Sequence, residues 1–500
     1  YEKLGYDVYA SGLVGSFGRH DEIVDASIGD KGYFVNFSGS NSHSQDYKDG
    51  DGNKIRSQYT RHSQGATFGL SPDSNKRFEL SAIRSNGYAN YADRTMDGWK
   101  FLRENIAFKS QLKNISPLID KFEIQLSNNF VDHTMGRVPR TGAMMDFMSV
   151  RHKTDAARMY ADLNVSSSIK AKVGFDYSSS KHDGDSGNYI FTEDASLKNH
   201  AIFAELSKAI SDKDALVGGL RLDHWRATDD SSPMGTPSAT KGKSRSDNLT
   251  SGFVRYENNL TLVSNAKSYV GLGRSERMPD YWELISNSSG QQFLTLKTEK
   301  TNQLDVGLIR KTDYSLLSAS FFYNKINDYV VVVYGSSMNS VRNINATTYG
   351  GELSAIQYLT PKLKLGTSLA YTIGHNDTDN KPLAQVSPLE GRLSLNYEAG
   401  KFTHGGVLRV VAAKNKYDLN SGGIAGYDLG KTGGFGVFSL NTTYKHDKRT
   451  SLSAGVDNLF DKTYAEFISR GGSAIPGYVP VTRINEPGRT AWLKATIALD

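Results

Sequence analysis

The residues best suited to chemistry in this chain lie in VDHTMGRVPRTGAMMDFM, residues 131–148, where His133 and Met135 stand two positions apart and Met144, Met145 and Met148 follow. Four of the 9 methionines in the chain fall in this one stretch. A thioether is a soft donor and an imidazole a borderline one, so the mixture suits soft metal ions over hard ones. Two ligands are too few for tight, selective binding, and the others have to come from elsewhere. Met144, Met145 and Met148 are candidate capture ligands, and Met159 lies a little further on. Methionine also fills irregular gaps in packing, which is the plainer reading of the same residues.

A β-strand is the element that points His133 and Met135 the same way, because side chains two apart share a face. Just upstream, FEIQLSNNF places apolar Phe122, Ile124 and Leu126 between polar Glu123, Gln125 and Ser127. Carried forward without a bulge, that parity puts His133 and Met135 on the polar face with Glu123, Gln125 and Asn129, near the strand's end. Met144 to Met148 then belong to the loop beyond.

The same alternation recurs along the chain, in RFELSA, KLKLGTSLAYTI, RLSLNY and the closing TAWLKATIAL. Tight turns such as SPDSNK, SDKD, SNAK and TPK alternate with long hydrophilic stretches such as SQDYKDGDGNKIR and ATDDSSPMGTPSATKGKSRSDN. The strands are about twice the usual soluble length, which is what a tilted strand needs to cross a bilayer. Aromatic residues including Tyr33, Phe34, Tyr281, Trp282, Tyr444 and Trp492 read as strand-end girdles. The expected fold is all-β: one large transmembrane antiparallel β-barrel over residues 1–500, of about 22 strands, with long extracellular loops and short periplasmic turns.

Composition agrees. Gly is high at 48, Pro low at 12, and Tyr and Phe are abundant at 27 and 22 in 500 residues, a mix that favours strands and turns. A mean hydropathy of -0.47 fits a barrel whose lipid-facing and lumen-facing residues average out. The net charge of +6 is spread thinly with no basic run, which argues against a nucleic-acid partner. With 0 cysteines there is no disulfide framework, zinc-finger spacing or thiol nucleophile. DGDGNK, residues 49–54, mimics the start of a calcium loop, but Lys54 stands where Gly is required, so a solvated loop is expected. GDSG at 184–187 lacks matching context for a His and an Asp, and no acid, base and nucleophile set marks an enzyme.

Three segments resemble the TonB-dependent outer-membrane receptors: GLGRSERMPDYWEL at 271–284 with the following LKTEKTNQLDVGL, VDNLFDKTYAEF at 456–467, and EPGRTAWLKATIAL at the C-terminus. In the first half, GSNSHSQDYKDGDG, YADRTMDGWKFLRE and VDHTMGRVPRTGAMM look like the copper-receptor branch. The resemblance implies a His-x-Met pair on the barrel wall, matched by His133 and Met135, that meets a Cys and a Met from a plug domain. Those plug partners have no counterpart here, so the chain resembles the barrel portion alone, with the plug expected outside it.

The function this implies is copper uptake across the outer membrane of a Gram-negative bacterium, energised by the TonB complex through that plug. Copper, with Cu(I) favoured, is cargo, and no catalytic cofactor is expected. The other expected neighbours are outer-membrane lipid and lipopolysaccharide, around a monomer. A ferric-siderophore receptor barrel, and a passive pore or phage and toxin receptor, are the alternatives.

Overall fold

The computed structural model describes residues 4–137, 147–185, 191–232, 237–261, 263–285, 291–335 and 339–499. One antiparallel sheet contains 25 strands, of which Lys381–Pro382, Ser421–Gly423 and Gly426–Tyr427 are short pieces in loops, and the other 22 form the wall. The first wall strand, Gly5–Gly15, pairs with the last, Thr490–Leu499, from Val8 opposite Leu499 to Gly15 opposite Trp492. This closure leaves no edge, as a sheet in lipid requires, because an unpaired backbone group there has no water to satisfy it.

Alternation sets which face each residue takes. Leu206, Ile202, Leu220 and Leu222 stand exposed on the outer face of two neighbouring strands, Phe191–Ala209 and Asp214–Asp229. The residues alternating with them face the lumen: Arg221 bonds Asp223 at 2.8 Å and reaches Asp176, two strands away, at 2.5 Å, and Asp176 also accepts from Arg158 at 2.7 Å. Charges line the inside because the lumen is the one barrel surface where water can solvate them.

The connections separate cleanly by rim. Turns at residues 31–32, 74–75, 114–118, 165–168 and 210–213 lie at one end, and long loops such as 45–58, 278–298 and 458–489 lie at the other. The short-turn rim is periplasmic and the long-loop rim extracellular. Many strands outrun the bilayer: Ile119–Arg137 has 19 residues and Ser340–Thr360 has 21, where about 9–11 suffice to cross.

The main buried apolar cluster lies at the extracellular mouth. Two short helices, α1 (Tyr281–Ile285) and α2 (Gln291–Thr295), fold the 278–298 loop inward. Leu284 and Phe293 pack there against Ala195, Trp225 and Leu249 of the inner wall. Arg277 ties the loop to the wall, bonding Glu283 of α1 at 2.9 Å and also Glu299 on the next strand. Asp280 and Glu283 cap α1 reciprocally, each backbone N–H donating to the other's carboxylate, at 2.8 and 2.9 Å. One expectation is corrected here. The strand Ala266–Arg277 stops before Pro279, where the Asp280 cap starts a helix, so Tyr281 and Trp282 belong to that helix rather than to a strand-end girdle.

DGDGNK is a turn anchored at one end: Asp49 is buried, while Asp51, Gly52 and Lys54 are exposed as a solvated loop would leave them. The Asp49 carboxylate accepts the Asn53 backbone N–H at 2.8 Å and the Asn485 side-chain amide at 2.8 Å. Gly50 lies against the backbone of Asp461 to Thr463, where no side chain fits. The Asp49–Gly50 end of the turn is therefore packed under the 458–489 loop, a long-range contact that local sequence does not announce.

Candidate functional site

The strand Ile119–Arg137 pairs on one side with Met96–Lys113 and on the other with Phe147–Asn164. Its residues pair one after another from Lys121 to Arg137, the bulge in that stretch lying on the neighbouring strand between Gly98 and Lys100, so the parity read from Phe122, Ile124 and Leu126 holds through to Met135. Glu123, buried at 3% exposure, faces the lumen with Gln111 and Gln125 as hydrogen-bond partners. His133 and Met135 share that face.

On the outer face the apolar run ends at Leu126. Beyond it Asn128 bonds Asp155, and Asp132 is held by Lys100 at 2.8 Å and Arg151 at 3.4 Å. Charges on the outward side place this part of the strand above the hydrocarbon band. His133 and Met135 accordingly stand in the extracellular mouth, ahead of the membrane-spanning section.

The two candidate ligands converge: His133 Nε2 lies 2.9 Å from Met135 Sδ. At that distance the imidazole and thioether are in hydrogen-bond contact, and both donors are aimed at the same point of the lumen. A tetrahedral ion bound by both would hold them about 3.5 Å apart, so the pair can serve as two ligands of one ion after a small separation. Met135 is buried, which fixes its otherwise flexible thioether.

Phe101, opposite His133 in the ladder, holds the imidazole from the side, with ring centroids 4.4 Å apart and planes tilted by 32°. The Phe101 ring reaches that position over Gly98, at a bulge between Gly98 and Lys100, and a Cβ at Gly98 would collide with it. A lumen cavity of about 760 Å³ begins beside Phe101 and Arg103 and extends past Tyr88, Tyr59 and Ser42.

Met148 corrects the sequence expectation. It lies in the strand Phe147–Asn164, directly opposite Met135, and so on the same inward face. It is therefore a strand residue rather than a loop residue, and Met144 and Met145 fall outside the described residues. Met159 pairs with Ile124 and points outward to lipid, away from the site. Strand parity could place Met148 relative to Arg158 and Tyr160, but only the register brings it opposite Met135.

A closed barrel of this width, its strands alternating between lipid and a charged lumen and its donors gathered at the outer mouth, is an outer-membrane transport barrel. A family model described as TonB dependent receptor-like, beta-barrel matches residues 36–459, and the chain belongs to that family. It resides as a multi-pass barrel in the outer membrane of a Gram-negative bacterium.

Among solved structures, the chain is similar to the copper transporter OprC, with 36% identity and a TM-score of 0.96 over 100% of this chain and 81% of that one. It is also similar to the FrpB iron transporter of Neisseria meningitidis, at 15% identity and a TM-score of 0.78 over 99% of this chain and 81% of that one, a likeness of fold alone. A segment is similar to the ferric enterobactin receptor of Pseudomonas aeruginosa, at 37% identity over 82 residues, which is 16% of this chain and 11% of that receptor.

Proposed function

We propose that this chain forms the barrel of an outer-membrane copper receptor, and that His133, Met135 and Met148 are its wall ligands for the ion. The carrying observation is the convergence of His133 Nε2 and Met135 Sδ at 2.9 Å on the inner face of the extracellular mouth. The 36% identity with a copper transporter over the whole chain supports the cargo. Two thioethers beside one imidazole make a soft donor set, which favours Cu(I) over Cu(II). Met144 and Met145, which lie outside the described residues, are proposed as capture ligands. TonB energises uptake through a plug domain seated in the lumen, and the barrel works as a monomer embedded in lipid and lipopolysaccharide. Its role is carriage of cargo, with no reaction catalysed and no catalytic cofactor.

Titration of purified protein with Cu(I) under reducing conditions tests this reading. The wild type is expected to take up copper, and the double variant H133A/M135A to lose that uptake. Unchanged binding by the double variant would sink the site.

A ferric chelate is the second reading, favoured by the arginine-lined inner wall at Arg158, Arg221 and Arg255 and by the 82-residue likeness to a ferric enterobactin receptor. Saturable binding of a ferric catecholate that survives H133A/M135A would favour it over copper.

A further inference from the structure

A second pair of metal-ligating side chains stands on the same wall, on the next two strands. His152 and His182 face each other in register across the strands Phe147–Asn164 and Ile169–Asp185. Both share the lumen face of Arg158 and Asp176, by strand parity. Their ring centroids lie 6.2 Å apart, with planes at 46°. Two imidazoles that bind one ion end-on, each through a bond of about 2 Å, have centroids about 6 Å apart.

The environment of His182 is built as for a ligand. Its Nδ1 lies 2.7 Å from Asp194 Oδ1, and the other oxygen of that carboxylate accepts the Tyr281 hydroxyl at 2.7 Å. Tyr281 also stacks on the imidazole, with centroids 3.8 Å apart and planes at 19°. A carboxylate on Nδ1 fixes the tautomer with its lone pair on Nε2, the arrangement that orients and strengthens a metal-binding histidine. His182 is only 6% exposed, so the ring is held and not free to turn away.

The donor count limits the ion. Among the described residues no group of three or more His, Cys, Asp or Glu side chains is placed to hold a metal, and the Asp194 carboxylate is already engaged. An ion that needs four or more protein ligands is not served. A monovalent soft ion content with two nitrogens in line, Cu(I) or Ag(I), is.

We propose that His152 and His182 form a second, two-coordinate site for a soft monovalent metal ion, separate from the His133 and Met135 pair, with Asp194 as the positioning residue. It lies beside the first site on the wall, since Val150 opposes His133 and His152 is the next inward residue of that strand. It does not depend on the copper reading of His133, because its ligands are its own.

Silver, which needs no reductant, is the probe, titrated into full-length purified barrel with bound metal counted per chain. In an H133A/M135A background one silver ion is expected to remain, and addition of H152A or H152Q should remove it. D194N in that background should keep the stoichiometry and weaken the affinity about 10–100-fold. Selective 15N labelling of histidine should show Nε2 of His182 shifting on silver addition, which a purely structural His182 would not do. The proposal is overturned if H133A/M135A/H152A binds as much silver as H133A/M135A, or if H133A/M135A binds none. A wild type that loses nothing with H133A/M135A but loses one ion with H152A would refute the first site and leave this one standing.

Discussion

At the scale of single residues, the two methionines of the Phe147–Asn164 strand offer a matched comparison. Met148 faces the lumen opposite Met135, while Met159 faces lipid opposite Ile124. M148A is therefore expected to weaken Cu(I) binding by at least about tenfold, the scale of losing one contributing donor, and M159A to leave it unchanged. Competition against a calibrated Cu(I) chelator reads both. Gly98 offers a test of positioning. A side chain there must push Phe101 off its place beside His133. G98V is expected to weaken copper binding about tenfold without removing a ligand, and equal affinity in wild type and G98V would show that Phe101 does not hold the imidazole.

At the scale of elements, the extracellular loops are where buried charge sets stability. Glu486, in the 458–489 loop, has its carboxyl pushed above the ordinary value of 4.5 by burial, and further by the neighbouring charge of Glu466, with Arg409 opposing. Tyr464 in the same loop is pushed up to about 12 by burial beside Glu486. For Glu486 the folded carboxyl keeps its proton to higher pH than the unfolded one. As pH rises above 4.5 the unfolded chain releases a proton that the folded chain retains, so folding stability falls through that window and stays lower above it. E486Q is expected to raise the melting temperature at pH 7 and to make no difference at pH 4. A gain of equal size at both pH values would mean that packing, not charge, is responsible.

At the scale of the whole molecule, closure between Gly5–Gly15 and Thr490–Leu499 is what makes the barrel a membrane protein. Deleting residues 490–500 strips the partners from one side of the first strand and of Thr450–Asp457. Each backbone group left unpaired in lipid costs several kcal/mol, so the truncated chain is expected not to assemble. Loss of the compact, heat-modifiable band on a gel checks this; a stable barrel after truncation would mean that the neighbouring strands re-pair.

The sequence by itself determined the architecture and the facing of strands that run without a bulge, such as Ile119–Arg137, because alternation and turn chemistry are local. Phe122, Ile124 and Leu126 set the parity that put His133 and Met135 in the lumen, and the short turns set the rims. Tertiary structure alone decided the rest, because register and loop packing depend on residues far apart. The pairing of Met148 with Met135 is fixed by how two strands slide past one another, which no spacing within either strand encodes. The inward fold of Tyr281 onto His182 and Asp194, and the burial of Asp49 under Asn485, are contacts across 87 and 436 positions of chain. A side chain's face is a property of its own strand, whereas its neighbours are a property of the closed barrel.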